Sequence, residues 1–138
     1  MKSGFGIDKL EKLKLKREIT SIFKEGKHLY AGNFRLIWNF ALFEMPYPVR
    51  FGVSVPKRNI KSSVKRNLMK RRMREVYRLN KHLFFSELEN LNLQIIVMFV
   101  FKGEAPISLP KVESDFLLAF QKLTKRINET PKPKLQVK

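Results

Sequence analysis

The stretch FGVSVPKRNIKSSVKRNLMKRRMREVYRLNK, residues 51–81, decides how this chain folds. It begins as a strand, because Phe51, Val53 and Val55 alternate with small or polar residues. In its second half the apolar residues recur at helical spacing, which predicts a helix of about five turns. An apolar run that suits a buried strand follows at residues 93–100. A strand, a long helix and another strand in succession indicate a strand–helix–strand crossover.

The flanking sequence predicts one more strand and two more helices. Residues 33–43 alternate so that one face is wholly apolar, which is typical of a strand packed on a core. Residues 16–26 predict a short helix that ends at Gly26. Residues 108–128 predict an amphipathic helix, and the pattern as a whole indicates a mixed α/β sandwich. The apolar stripe of that last helix is Val112, Phe116, Ala119, Phe120, Leu123 and Ile127.

The length and composition fit one domain with one core. Hydrophobic residues make up 43% of the 138 residues, and twelve are Phe. We therefore expect a single domain over 1–138 with its core at about 10–128 and flexible basic termini at 1–9 and 129–138. Residues 93–101 form the longest strongly apolar run, which is far too short to cross a bilayer. The start of the chain lacks the apolar segment of a signal peptide, so we expect a cytoplasmic location without membrane association.

The net charge of +17 points to an acidic partner. Self-repulsion of this size destabilises a compact fold unless a partner neutralises it, and nucleic acid is favoured over an anionic membrane surface. The chain has no Cys, which excludes disulfides, a thiolate zinc site and a Cys nucleophile. His28 and His82 are isolated, the carboxylates are scattered, and no phosphate-binding glycine loop is present. We therefore expect neither catalytic residues nor a metal site in the protein itself.

The basic helix divides into two sides on a helical wheel. The apolar side comprises Leu79, Leu83, Val76, Met69, Met73, Phe84 and Tyr77. The basic side comprises Lys70, Arg74, Lys81, Arg78 and Arg71. Arg72 falls among the apolar residues, so we expect it to reach out at an edge or to find a partner.

Cations also crowd the N-terminal end of this helix, where the helix dipole disfavours them. They are Lys57, Arg58, Lys61, Lys65 and Arg66. A solvated basic face is the alternative, but surface helices usually mix charges of both signs, and Glu75 is the one acidic residue in 63–81. The pattern predicts a phosphate-binding surface, to which Asn67 could add a contact with a base edge or a 2′-hydroxyl group.

A second candidate surface is one face of the sheet, which carries Arg35, Asn39, Arg50, Gly52 and Ser54. Small and polar side chains of this kind leave room for a single-stranded nucleic acid. The alternative, which the sequence leaves equally open, is that a helix covers this face and that the small residues serve packing.

The run from FGVSVPKR to VKRNLMKRRMREVYRLNKH resembles the protein component of bacterial ribonuclease P. That family has a G-[LV]-S-V strand, a basic loop and a helix with an R-N-R-x-x-K-R-x-x-R-E signature. An upstream F-[KR]-x-G segment, here Phe23–Gly26, also fits, and the resemblance covers about residues 10–127. The matching residues are Gly52–Val55, Lys57, Arg58, Arg66, Asn67, Lys70, Arg71, Arg74 and Glu75.

The resemblance implies an α+β fold, an α/β sandwich in which a mixed four-stranded sheet packs with three helices and the crossover is left-handed. It implies an RNA-binding subunit that assists a catalytic RNA in removing the 5′ leader of precursor tRNA, with Mg²⁺ held mainly by the RNA. The partners would be the ribonuclease P RNA and the precursor-tRNA leader, and no protein partner is indicated. The implied RNA-binding residues are Lys57, Arg58, Lys61, Lys65, Arg66, Asn67, Lys70, Arg71, Arg74 and Arg78. The candidates for a leader-binding cleft are Lys16, Arg17, Ile19, Phe23, Phe34, Arg35, Arg50 and Ser54.

Two positions depart from the family pattern. Leu68 stands at the third position of the motif, where the family has Arg, and Ile19 stands where some members have an aromatic residue. The main alternative is a ribosomal or ribosome-assembly protein with no role in cleavage. A DNA-binding regulator would require a short helix directly before the basic helix, where the sequence predicts a strand.

Overall fold

The computed structural model describes residues 22–41 and 46–131 and contains a mixed four-stranded sheet. The strands lie in the order β1-β2-β4-β3; β2 is antiparallel to β1 and β4, whereas β3 is parallel to β4. Two helices, α1 and α2, pack on the sheet, and residues 22–25 are also helical. The bounds are β1 Lys27–Ala31, β2 Phe34–Phe40, β3 Val49–Ser54, α1 Ser63–Asn90, β4 Ile95–Phe101 and α2 Leu109–Glu129.

The predicted crossover is present, because α1 connects β3 to its parallel neighbour β4. Phe51 pairs with Val97 and Val53 with Phe99, so β3 and β4 present their apolar residues to the same side. The handedness of this crossover stays a prediction. The short helix that the sequence predicts over 16–26 is described only from residue 22 on, where Gly26 donates its backbone N–H to Ile22 O at 2.8 Å and ends it.

The core lies between one face of the sheet and the two helices. The ring of Phe51 stacks on Tyr77 of α1 at 3.8 Å between centroids, and Phe99 stacks on Phe116 of α2 at 4.3 Å. Phe34 is wholly buried in the same cluster. The prediction that Phe34 lines a leader cleft is therefore wrong, because its side chain points to the core side of β2.

The face that α1 buries is rotated from the one that the helical wheel predicted. Leu79 and Leu83 are exposed, at 38% and 56%, whereas Lys81 is only 7% exposed and its Nζ lies 5.5 Å from the centroid of the Phe85 ring. The aliphatic stem of Lys81 can be buried while its ammonium group contacts the aromatic ring. Assigning Lys81 to the exposed basic side was therefore wrong. The other predicted packing residues, Met69, Met73, Val76, Tyr77 and Phe84, are buried.

A buried carboxylate fastens the β1–β2 turn to α2. Asp115 accepts hydrogen bonds from the backbone N–H and the side-chain amide of Asn33, at 3.0 and 2.9 Å, and from Lys111 Nζ at 3.1 Å. Gly32 in this turn has a φ of +56°, and a Cβ atom there would collide with the Asp115 carboxylate. A two-residue turn and one acidic side chain thus fix the position of α2 against β1. Every residue of the predicted apolar stripe of α2 is buried.

Candidate nucleic-acid interface

The N-terminal end of α1 and the loop before it form the first candidate surface, here called the basic end of α1. Ser62 caps the helix by accepting a hydrogen bond from the Lys65 backbone N–H at 3.3 Å, and the first turn contains no acidic residue. The unpaired backbone N–H groups and the positive end of the dipole favour an anion here. Six of the predicted cations and one amide are exposed around this end and along the first turns: Lys57, Arg58, Lys61, Lys65, Asn67, Arg71 and Arg74.

Arg66 has a different role from its neighbours. Its Nη1 donates hydrogen bonds to Ile60 O at 2.9 Å and to Lys61 O at 2.8 Å. The guanidinium group therefore folds back on the loop that precedes α1 and joins the loop to the helix. Lys70 is half-buried, because it lies closer to the packed side of the helix than the wheel indicated.

We expect Arg66→Ala to lower the free energy of unfolding by about 1 kcal/mol, because two backbone carbonyls lose their donor. Arg71→Ala is the matched control, since Arg71 is exposed, and its effect should stay within about 0.5 kcal/mol. Urea denaturation of both variants measures the difference. Equal stability of the two variants would show that Arg66 does not hold the loop.

Arg78 is paired with the one carboxylate of the basic helix segment. Its Nε donates to Glu75 Oε1 at 2.7 Å and its Nη2 to Glu75 Oε2 at 3.0 Å. This hydrogen-bonded pair lowers the pKa of Glu75 from its ordinary value and raises the pKa of Arg78. The charge of Arg78 is thus partly compensated within the protein, so we rank it below Arg71 and Arg74 as an RNA contact.

A shallow pocket of about 530 Å³ lies on the outer side of α1 beside the start of α2. Arg72 crosses the gap between the helices and donates from Nη1 to Ile107 O at 2.6 Å, which confirms that this arginine reaches out and finds a partner. Leu68, the departure from the family motif, supplies apolar surface to the pocket instead of another cation. The pocket is lined by Leu68, Arg71, Arg72, Arg74, Glu75, Arg78 and Leu109.

The second candidate surface is the face of the sheet that points away from α1 and α2, here called the second face. Ile22 packs at its centre against Ile37, Met98 and Val100. The helical segment at 22–25 therefore covers part of this face, as the packing alternative predicted. The small and polar residues that the sequence placed on this face lie around the covered centre and are half-buried. They are Arg35, Asn39, Arg50, Gly52 and Ser54.

The leader-cleft candidates divide into three groups: Phe34 is buried in the core, Phe23, Arg35, Arg50 and Ser54 are at least partly exposed, and the remaining three lie outside the described residues. Phe23 is 42% exposed next to Ile22, which is buried on the second face. Asn39, which lies on the same face but is not one of these candidates, accepts a hydrogen bond from Lys27 Nζ at 3.2 Å, so its amide is already engaged. Three candidates, Lys16, Arg17 and Ile19, lie outside the described residues.

A third basic surface, here called the β1-edge site, lies between β1 and the C-terminal half of α2 and was not predicted from the sequence. Lys122 Nζ donates to Tyr30 O at 3.0 Å across the outer side of β1. Tyr30 is 51% exposed, and Lys102 Nζ lies 4.7 Å from the centroid of its ring. The sequence signal was the alternation in KHLYA before a Gly-Asn pair, which is typical of a strand and its turn. The pocket of this site, about 350 Å³, is lined by His28, Leu29, Tyr30, Lys122, Lys125, Arg126 and Glu129.

Two negative findings apply to residues 22–41 and 46–131. No helix in these ranges is both long and apolar enough to span a membrane. Within the same ranges, no three or more His, Asp or Glu side chains lie close enough together to hold a metal ion.

Comparison with solved structures shows the same fold in ribonuclease P proteins. The ribonuclease P protein of Staphylococcus aureus superimposes with a TM-score of 0.66 at 19% identity, over 85% of this chain and 97% of the other. The ribonuclease P protein of Thermotoga maritima superimposes with a TM-score of 0.54 at 26% identity, over 88% of this chain and 99% of the other. The mixed sheet and its three helices, predicted as an α+β sandwich, are confirmed.

Sequence comparison also finds ribonuclease P proteins among the relatives of this chain. The ribonuclease P protein component of Porphyromonas gingivalis is 35% identical over 96 residues, which cover 70% of each chain. The corresponding protein of Finegoldia magna is 31% identical over 121 residues, which cover 87% of this chain and 96% of the relative. The family described as Ribonuclease P matches residues 7–125, a span that contains the sheet, α1 and most of α2. The chain therefore belongs to the ribonuclease P protein family.

Proposed function

We propose that this protein is the RNA-binding subunit of a ribonuclease P holoenzyme and that it acts in the cytoplasm. In this role it binds the ribonuclease P RNA through the basic end of α1 and assists removal of the 5′ leader from precursor tRNA. The observation that carries the proposal is the cluster of exposed cations at a helix N-terminus, on a helix whose other side is fixed to the sheet. Family membership favours this function over that of a ribosomal or ribosome-assembly protein.

The proposal assigns the chemistry to the RNA. The RNA holds Mg²⁺, and hydrolysis leaves a 5′ phosphate on the mature tRNA, while the protein supplies cations and hydrogen-bond donors. Arginine suits this task because its planar fork pairs with two phosphate oxygens, and lysine adds point charge. The proposed RNA contacts are Lys57, Arg58, Lys61, Lys65, Asn67, Lys70, Arg71 and Arg74, with Arg66 and Arg78 contributing less because of their internal hydrogen bonds.

The precursor-tRNA leader is proposed to lie along the rim of the second face. Phe23 offers an exposed ring there, and Arg35, Arg50 and Ser54 are partly accessible around the covered centre. Lys16, Arg17 and Ile19 belong to the same proposed cleft on the basis of the family resemblance. Aromatic and cationic side chains around a groove are the usual means of holding single-stranded RNA.

Reconstitution tests this function. The purified protein is combined with a bacterial ribonuclease P RNA, and cleavage of a leader-bearing precursor tRNA is followed at low magnesium concentration. We expect cleavage to be about 10-fold faster, or more, with protein than with RNA alone, because the protein's cations replace part of the screening that Mg²⁺ provides. An unrelated basic protein of similar charge serves as the control. Equal rates with and without this protein would contradict the proposal.

A further inference from the structure

We propose that the β1-edge site binds one nucleotide of the precursor-tRNA leader that lies beyond the cleft, with its base stacked on Tyr30 and its phosphate held by Lys125 and Arg126. This inference rests on the proposed function and extends the leader path to an edge of the sheet. The β1-edge site is separate from the basic end of α1, so this nucleotide would not compete with the ribonuclease P RNA bound there.

Tyr30 has the properties of a stacking residue. The residue is 51% exposed although it lies on a strand of the sheet, and Lys102 Nζ is 4.7 Å from the ring centroid. An exposed aromatic ring accepts any base, because every base has a π-face. A cation already beside the ring can move to the phosphate of a stacked nucleotide, so stacking and charge pairing occur together.

The charges around Tyr30 favour a phosphate. The pocket wall includes three cations, Lys122, Lys125 and Arg126, against one carboxylate, that of Glu129. Lys122 is engaged with the Tyr30 carbonyl, whereas Lys125 and Arg126 are exposed. The volume of about 350 Å³ lies within the range of small-ligand sites. The ring projects from the second face and the cations project from α2, so they border the rim of β1 from opposite sides and the nucleotide must pass around that rim to contact both.

The register of the sheet connects this site to the leader cleft. Tyr30 of β1 lies directly opposite Arg35 of β2, so both side chains project from the second face. Neighbouring strands are about 4.8 Å apart, which is within the reach of one nucleotide. A leader that contacts Arg35 and continues outward meets Tyr30 next, and this favours the leader over the catalytic RNA as the occupant.

The experiment compares leader lengths in the reconstituted holoenzyme. Dissociation constants are measured for mature tRNA and for precursor tRNAs with short and long leaders, of about 2 and about 10 nucleotides, which bracket the span of a single-strand site. The variants are Tyr30→Ala and Tyr30→Phe, with Leu118→Ala as the control because Leu118 is an exposed apolar residue of α2 outside this pocket. Thermal unfolding of each variant is recorded beside the binding data.

We expect Tyr30→Ala to weaken binding of the long-leader substrate about 5- to 10-fold, with no change for the short leader or mature tRNA. Tyr30→Phe should bind like wild type because it keeps the ring, and Leu118→Ala should also bind like wild type. Unchanged long-leader binding by Tyr30→Ala overturns the inference, as does an equal loss for all three substrates, which would indicate contact with the catalytic RNA. Failure of the proposed function is distinct, because wild-type protein would then give no faster cleavage with any substrate.

Discussion

The triple variant Lys65→Ala/Arg71→Ala/Arg74→Ala is expected to bind ribonuclease P RNA about 100-fold more weakly than the wild-type protein. These three cations are exposed at the basic end of α1, and none of them is needed to hold the loop or the helix pair. At about 1 kcal/mol for each exposed charge, their loss amounts to roughly 3 kcal/mol of binding free energy. The slope of log affinity against log salt should become shallower by about 2–3, since three fewer phosphates are neutralised.

The control for this prediction removes three positive charges elsewhere. Lys132→Ala/Lys134→Ala/Lys138→Ala lowers the net charge by the same amount, but at the end of the chain. Filter binding or fluorescence anisotropy at several salt concentrations measures both variants. If the two variants lose affinity equally, net charge alone explains binding, and the basic end of α1 is not a specific docking surface.

Asp115→Ala is expected to lower the free energy of unfolding by about 3 kcal/mol, the largest single stability effect that we predict for a polar residue. The substitution removes the acceptor of both the Asn33 backbone N–H and the Asn33 side-chain amide, and it leaves Lys111 without its partner. Chemical denaturation measures the change, and Glu104→Ala is the control because that carboxylate is exposed. A loss no greater than that of Glu104→Ala would mean that the turn is held by packing alone.

The same contacts predict a pH dependence. Burial by itself would raise the pKa of Asp115, but the hydrogen bonds from Asn33 and Lys111 outweigh burial and lower the pKa below its ordinary value of 3.8. The unfolded chain therefore takes up a proton at this carboxyl group before the folded protein does, and stability falls as the pH drops below 3.8. We expect the stability difference between wild type and Asp115→Ala to be constant above that pH and to shrink below it. A constant difference down to the acid limit would contradict the lowered pKa.

The crossover and the core of the fold were predictable because their signals are periodic and strong. The alternation in β3 and the apolar run of β4 each indicate a strand, and the apolar stripe of α2 indicates a helix. The contact face of α1 was less predictable, since lysine counts as polar in a pattern although its stem can be buried. Lys81 is buried with its ammonium group beside the Phe85 ring, whereas Leu83 is exposed.

Long-range contacts account for what the sequence analysis missed in the candidate sites. Asp115 and Asn33 are 82 residues apart, and no local pattern joins them. Likewise Lys122 and Tyr30 are 92 residues apart, so the β1-edge site becomes visible only when α2 lies beside β1. The basic end of α1, by contrast, was found from sequence because its residues are consecutive. Even there, the hydrogen bonds that Arg66 and Arg78 form within the protein became visible only in the structure.

The Lys122–Tyr30 hydrogen bond also bears on whether β1 can pair with a strand of another molecule. Within residues 22–41 and 46–131, β1 is an edge strand of the sheet, and an edge strand can pair with a strand of another molecule through its unpaired carbonyl and N–H groups. Lys122 occupies one of those carbonyls and places a charge in the path of an incoming strand. We therefore expect this one lysine of a neighbouring helix to oppose edge-to-edge association of two molecules through β1.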